Sequence, residues 1–327
     1  MESTSIPLEK ENRRSPVRYV QISQDHAGRR IDNYLTSALQ DVPRQRIYQM
    51  LRRGEVRVDG KRVKQGYRLE EGQQVRIPPV SMDPVQAPAS PREYLLDMIK
   101  NSVVYENENL LVINKPAGLV VHGGTGRTFG VIELLRVLYP DETDNLQLAH
   151  RLDRETSGVL LVTKNLRYLA ALQVCFREGR IEKHYQALLK GKPAHKTIIV
   201  DKPLDRNLVR SGERLSGISD DGKQALTRFK VVRNIKDAWL ADVEIETGRT
   251  HQIRVHASSI GHPVAGDEKY GDKTFNKRLK KAGLKRLFLH AGSVHIPALN
   301  GNRPVRITAP LPDDLAGFVR DYGLTGN

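Results

Sequence analysis

Along the chain, short apolar runs alternate with polar, turn-forming stretches, and the period of each run predicts its element. In RRIDNYLTSAL the apolar residues Ile31, Leu35 and Leu39 recur every four positions, the spacing of one helix face. Pro43 opens a second helix, in which Ile47, Met50 and Leu51 form one face, and Gly54 stops it. EVRVDGKRV then alternates apolar and polar positions about Asp59-Gly60, a dipeptide that favours a hairpin turn, and LEEGQQVRI supplies another strand. From residue 94 onward, strand-like runs appear in NLLVINK, VLLVTK, KHYQALLKG, TRFKVVRN, WLADVEIET and LFLHAGSVHI. Helical patterns lie between them in GVIELLRVLY and RYLAALQVCFREG. Strands and helices do not alternate strictly. The pattern therefore favours an α+β fold, with a mixed or mostly antiparallel sheet and helices, over a doubly wound one.

Breaks in the pattern place the boundaries. Residues 1–18 are polar and aperiodic and are expected to form a disordered tail. Residues 19–78 make a small domain. Residues 79–93 fall in PPVSMDPVQAPASPRE, whose five prolines stiffen an extended chain without donating to a ladder, so they read as a linker. Residues 94–327 form the larger domain.

Charge narrows the partners. The formal net charge of +15 points to an anionic partner, nucleic acid first and an acidic membrane surface second. No apolar run approaches the roughly 18 residues of a spanning helix, and MESTSIPLEKENRRSPVRY lacks a signal core, so a cytoplasmic protein is expected. The single cysteine, Cys175, excludes a disulfide framework within the chain and a cysteine-cluster metal site; its setting, LQVCF, predicts burial. Between Arg29 and Arg76 there are 12 Lys/Arg against 6 Asp/Glu. Such a run is usually a solvated face. Here Arg44, Arg46, Arg52 and Arg53 surround one amphipathic helix and the charge continues onto a hairpin through Arg57 and Lys61, which favours a phosphate-contacting surface. Gly54, Val56, Val58, Asp59 and Gly60, following a basic helix, resemble the G-x-V-x-V-(N/D)-G pattern of the S4 RNA-binding domain.

Four polar-rich segments border apolar strands in the second domain: 114–126, 150–158, 183–191 and 247–271. GGTG is not followed by the Lys-Ser/Thr of a P-loop. His251 and His256 are five apart, without the helical zinc spacing or an adjacent glutamate. TSG after Asp153 is not a nucleophile elbow; Ser157 is expected to support the turn by bonding backbone. Asp153 itself has two readings. It is a turn residue bonding its own backbone, or it is an ionised carboxylate, kept so by His150, Arg151 and Arg154, that attacks a carbon electrophile. Arg249 and Arg254 supply a second basic cluster. Alternation in QIRVH predicts a strand, with Ile253 and Val255 on one face and Arg254 on the other.

HRLDRETSG resembles the H-R-L-D-x-x-T-S-G signature of the RluA-type pseudouridine synthases, and NKPAGLVVH, KHYQALL and TGRTHQIRVH resemble their other blocks, in the same order. The resemblance implies a mixed β-sheet flanked by helices and isomerisation of uridine in 23S ribosomal RNA or large-subunit assembly intermediates, a reaction that needs no cofactor or metal. No membrane partner is expected, and since nothing in the residues suggests an obligate dimer, a monomer is expected. It implies that Asp153 is the catalytic carboxylate, that Tyr185 stacks on the flipped base and assists proton loss, and that Arg254 partners the aspartate. Arg151 would help displace the base, and Arg249 would contact RNA. Two rival readings remain from the residues alone: a non-catalytic ribosome-assembly factor, and a ribonuclease using His150 and His251.

Overall fold

The computed structural model describes residues 16–39, 42, 44–79, 91–123, 129–210 and 213–324. Pro43, residues 1–15 of the expected tail, residues 80–90 of the expected linker and most of GGTG lie outside them. Contacts divide the chain into two units, Met1–Ser90 and Pro91–Asn327.

The first unit holds strand β1 (Arg18–Gln21), helices α1 (Ile31–Ala38) and α2 (Arg44–Arg53), and strands β2 (Arg57–Val58), β3 (Lys61–Arg62) and β4 (Gln74–Ile77). The sheet order is β1-β4-β2-β3. The expected faces are the buried ones: Ile31 and Leu35 of α1 meet Ile47 and Met50 of α2 over Val56 and Val75. Asp59 and Gly60 both have positive φ, 48° and 74°, which is the twist a two-residue hairpin demands. Strand β1 corrects the expectation that the tail runs to residue 18. It is a short edge strand with exposed Arg18 and Tyr19, so it carries too little alternation to be read from sequence.

The second unit contains α3 (Glu93–Lys100), β5 (Val103–Glu106), β6 (Leu110–Lys115), α4 (Val131–Leu138), β7 (Gln147–Leu148), β8 (Ser157–Thr163), α5 (Leu166–Arg177), β9 (Glu182–Lys190), β10 (Thr197–Asp201), β11 (Leu204–Arg210), β12 (Glu213–Ile218), β13 (Leu226–Ile235), β14 (Ala238–Ile245), α6 (Gln252–Ser259), α7 (Lys273–Lys281), β15 (Leu289–Ile296), β16 (Val305–Thr308) and α8 (Asp313–Leu324). A ten-stranded sheet runs β10-β13-β14-β9-β15-β8-β6-β5, with β16 beside β15 and β7 beside β8. Its pairings are antiparallel except β15 with β8, so the sheet is mixed and mostly antiparallel as expected.

NLLVINK and VLLVTK are continuous apolar runs because their strands are covered on both faces. Leu111, Ile113, Leu160 and Val162 pack with Val131 and Leu135 of α4, while Leu110, Val112, Val159 and Leu161 pack with Tyr168, Leu172 and Cys175 of α5. Each such buried side chain stabilises the fold by about 1.5–3 kcal/mol, and truncating Leu160 to Ala would cost about 2–5 kcal/mol. Among the described residues no helix is long and apolar enough to cross a membrane.

Candidate active site

The loop bearing Asp153 is tied down at both ends. On one side Gly158 opens β8 at φ 113°, and a Cβ there would lie 2.2 Å from the Ala291 carbonyl oxygen. Only glycine lets β8 and β15 approach so closely where they run parallel. On the other side Lys115 is fully buried, and its ammonium donates to the carbonyls of Pro116 at 2.8 Å, Leu119 at 2.9 Å and Arg154 at 3.1 Å. Burial pushes this lysine down to about 7. The Thr156 amide closes the turn onto the Asp153 carbonyl at 3.2 Å.

Ser157 does not bond backbone as expected. Its hydroxyl meets His290 Nδ1 at 3.0 Å and accepts from Arg286 at 3.3 Å, while His290 Nε2 reaches the Ala309 carbonyl at 3.1 Å. That buried chain links β8 to β15 and to the residue that follows β16.

The flanking basic residues do not gather around Asp153. Arg154 turns back to the Gly118 carbonyl at 3.0 Å and Glu155 at 3.5 Å. His150 accepts the Leu161 amide on Nε2 at 3.0 Å, with its ring centroid 5.5 Å from that of Phe176. Burial pulls its pKa to about 4, so it is neutral with that lone pair engaged, which disfavours the ribonuclease reading. Arg151 does line the cleft containing Asp153.

The cation at Asp153 comes from 101 residues further on, and from a helix. QIRVH is not a strand: His251 adopts a left-handed conformation (φ 57°, ψ 20°) and starts α6. The alternation misled because two polar residues one turn apart are buried. Gln252 accepts from Thr247 at 2.7 Å and the Arg249 amide at 3.0 Å, and donates to the Leu226 carbonyl at 2.9 Å and Thr227 at 3.0 Å. His256 meets Thr227 at 2.9 Å and the Lys202 carbonyl at 3.0 Å. With Gln252 and His256 turned onto the β13 end, Arg254 projects into the cleft.

There Arg254 Nη1 donates to Asp153 Oδ2 at 3.2 Å. Its Nε and Nη2 grip Asp267 at 2.7 and 2.9 Å. Burial alone would lower the Arg254 pKa, but Asp267 first and Asp153 second outweigh it and raise the value. Asp267 is itself fully buried; burial favours its neutral form, yet Arg254 and the amides of Tyr270 and Lys269 hold its carboxyl below the usual range. Tyr270 lies under the guanidinium, 5.0 Å from its ring centroid, and its hydroxyl meets His251 Nδ1 at 2.8 Å. His251 Nε2 in turn stands 3.8 Å from Asp153 Oδ2, and burial lowers its pKa against the pull of that carboxylate.

Tyr185 of β9 completes the wall. The ring is buried, and both burial and the Asp153 charge raise its pKa, which keeps the hydroxyl protonated. Arg151, Asp153, Tyr185, Arg249, His251 and Arg254 thus border one open cleft of about 550 Å³. Arg249 spends its Nε on the Gln224 carbonyl at 3.1 Å. The arrangement offers an anionic oxygen, a fixed guanidinium and an aromatic wall in one pocket. That set suits nucleophilic attack on a substrate held against the ring. Among the described residues no cluster of three His, Cys, Asp or Glu is placed to hold a metal ion.

The basic residues of the first unit stand apart from this cleft in sequence and serve differently. Arg46 forks onto Glu55 at 2.8 and 3.3 Å, and Arg57 donates to the Gly54 and Gly60 carbonyls at 3.4 and 3.2 Å. Arg52, Arg53 and Lys61 are exposed; Arg44 opens α2, its side chain outside the described residues. Sequence reasoning missed Asp267 and Tyr270. Their signal was GDEKYG: a buried arginine needs a carboxylate, and this glycine-framed acid lay within the same polar block as Arg254.

Residues 109–259 match the family described as RNA pseudouridylate synthase, and residues 29–75 match the S4 domain. Ribosomal large subunit pseudouridine synthase C of Vibrio vulnificus is 44% identical over 310 residues, covering 94% of this chain and 97% of that protein. The protein of the same name from Escherichia coli K12 is 46% identical over 302 residues, covering 91% and 94%. Among solved structures, Human RNA Pseudouridylate Synthase Domain Containing 4 superposes with a TM-score of 0.58 at 27% identity, covering 70% of this chain and 95% of its own. Alike at 44–46% identity over more than nine-tenths of its length, the chain belongs to the RNA pseudouridylate synthase family.

Proposed function

We propose that this enzyme isomerises specific uridines to pseudouridine in large-subunit (23S) ribosomal RNA, acting as a cytoplasmic monomer on that RNA or its assembly intermediates. The observation that carries the reading is the Asp153–Arg254 contact at 3.2 Å in a cleft walled by Tyr185. Relatives alike over more than nine-tenths of the chain carry a name stating the ribosomal substrate.

The target base must leave its stack to reach such a cleft. Arg151 occupies the rim and supports the displaced nucleotide, and Tyr185 offers its ring for stacking. The Asp153 carboxylate attacks C1′ of the ribose as the C1′–N1 bond breaks, and the uracil departs with the bonding pair. Arg254, held charged by Asp267, keeps Asp153 ionised and oriented. The detached base turns, its C5 bonds to C1′, the ester to Asp153 breaks, and the C5 proton is lost while N1 gains one. The Tyr185 hydroxyl, protonated in the resting pocket, serves as a relay for that proton rather than as a standing phenolate. Atoms and charge balance without a donor or redox step.

The S4 unit supplies phosphate contacts. Arg52, Arg53 and Lys61 are exposed for this, Arg44 and Arg57 extend the surface, and Arg46 contributes less because Glu55 neutralises it. Arg249 contacts RNA at the cleft. A non-catalytic assembly factor would have no use for the clamped Arg254–Asp153 pair.

The test is chemical mapping of pseudouridine in ribosomal RNA from cells lacking the protein, complemented with wild type or Asp153→Asn. Wild type restores sites that the Asn variant leaves as uridine, while purified Asn variant binds a ribosomal transcript as tightly as wild type. Restoration by Asp153→Asn would remove this residue from the chemistry. An unchanged map in the deletion strain would reject the ribosomal substrate.

A further inference from the structure

Outside the cleft, the largest concentration of one charge on the second unit is KTFNKRLKKAGLKR, residues 273–286, with five lysines, two arginines and no acid. Two of these seven cations are neutralised: Arg278 pairs with Asp237, and Arg286 forks onto Asp314. Lys273, Lys277, Lys280, Lys281 and Lys285 are exposed and have no acidic partner among the described residues.

Helix geometry sorts these groups. At roughly 100° per residue, Lys273, Lys277, Lys280 and Lys281 fall within an arc of about 100°, a stripe about 12 Å long. Phe275 and Leu279 occupy the opposite side and are buried against Phe288 and Leu315. Arg278 lies on one flank, toward Asp237. The other flank is Asn276, whose side chain donates to the Asp267 carbonyl at 2.8 Å and accepts the Gly266 amide at 2.9 Å. Asp267 is the residue that clamps Arg254. The stripe therefore adjoins the edge of α7 that is docked on the loop supporting the cleft.

A merely solvated helix would not be built this way. Lys273 and Lys277 repel at one helical turn, as do Lys277 and Lys281. Lys273 is the first residue of α7, where the helix dipole favours acids. We propose that this stripe is a second RNA surface, gripping backbone phosphates of the substrate that flank the target uridine on the catalytic unit itself. It rests on the proposed RNA substrate above. The chemistry fits phosphates: compact ammonium charges at the surface without base-reading aromatics, a sequence-independent contact. An acidic lipid surface fits less well, because Phe275 and Leu279 are already buried and leave no apolar face to insert.

The test uses the full chain with Lys273, Lys277, Lys280 and Lys281 all changed to Gln, and a large-subunit ribosomal transcript as probe. Affinity is measured from low to moderate salt. Four phosphate contacts at roughly 0.7–0.9 each predict a fall of about 3 in the slope of log K against log salt. The dissociation constant near physiological salt should rise at least about tenfold. Arg278→Gln, on the Asp237 flank, serves as control and keeps the wild-type slope. Should the fourfold variant lose its thermal transition, the single exposed change Lys277→Glu must lower the slope in the same sense. Wild-type slope and affinity in the lysine variants would overturn the proposal and favour an acidic protein partner; an equal fall in Arg278→Gln would overturn it by showing that the effect is not particular to the stripe. Binding is read without isomerisation. A stripe-dependent slope in a protein that forms no pseudouridine would reject the proposed function alone.

Discussion

Asp267 takes two of the three donor positions of Arg254, at 2.7 and 2.9 Å, and so leaves Nη1 to face Asp153 at 3.2 Å. A largely buried guanidinium shared between two carboxylates is charged, oriented and unable to swing away. The nearer Asp267 sets the position at which the cleft carboxylate finds its partner.

Asp267→Asn should therefore reduce turnover by about 10–100-fold although the residue does not line the cleft, since small misplacement of a catalytic group is that costly. Single-turnover conversion of a ribosomal transcript measures it. Turnover equal to wild type would show that Arg254 needs no clamp.

The same substitution should cost about 3 kcal/mol of stability at neutral pH, because it leaves a buried charge half-compensated. The Asp267 pKa is lowered in the fold, so its contribution is complete above the unfolded carboxylate value and is lost as pH falls through the folded one. Urea unfolding of wild type and Asp267→Asn should show a constant gap from about pH 5 to 8 that closes in more acidic solution. A gap that widened on acidification would contradict the clamp.

At Tyr185, ring and hydroxyl are separable. Tyr185→Phe should keep the affinity for RNA and lose about 10²-fold or more in turnover, the usual scale of proton-transfer assistance. Tyr185→Leu should in addition weaken binding by about 1–3 kcal/mol, the value of one base stacked on an aromatic ring. Equal affinities for Phe and Leu variants would remove the stacking role.

Lys115→Met would remove one ammonium and leave the Pro116 and Leu119 carbonyls to find other donors, while the Arg154 carbonyl keeps the Gly118 amide at 2.8 Å. About 2–4 kcal/mol of stability should be lost, since unsatisfied buried acceptors cost about 1–3 kcal/mol each and some regain water. Proteolysis should then open the 116–119 and 154–156 loops before the sheet. A variant of unchanged stability and loop protection would show that this lysine is no crosslink.

Much of this was visible without coordinates where the burial pattern is simple. The α1 and α2 faces, the Asp59-Gly60 turn and the doubly covered strands β6 and β8 follow from the spacing of apolar residues, because each buries one regular set. α6 defeated that logic: Gln252 and His256 are buried polar groups satisfied by β13 and its neighbours, which makes a helix look like an alternating strand. β1 escaped because an exposed edge strand has no apolar set to display.

The chain by itself determined that a carboxylate stands in a turn before a buried strand, that arginines and a tyrosine are available to it, and that the net charge calls for an anionic partner. Tertiary structure decided which of them meet. The neighbours His150 and Arg154 were sent elsewhere, His150 to a backbone amide and Arg154 to a carbonyl, because a turn points successive side chains in different directions. Arg254 arrived instead, on a helix anchored by two buried polar residues and gripped by Asp267, since a charge can be buried only where a distant partner is folded up against it.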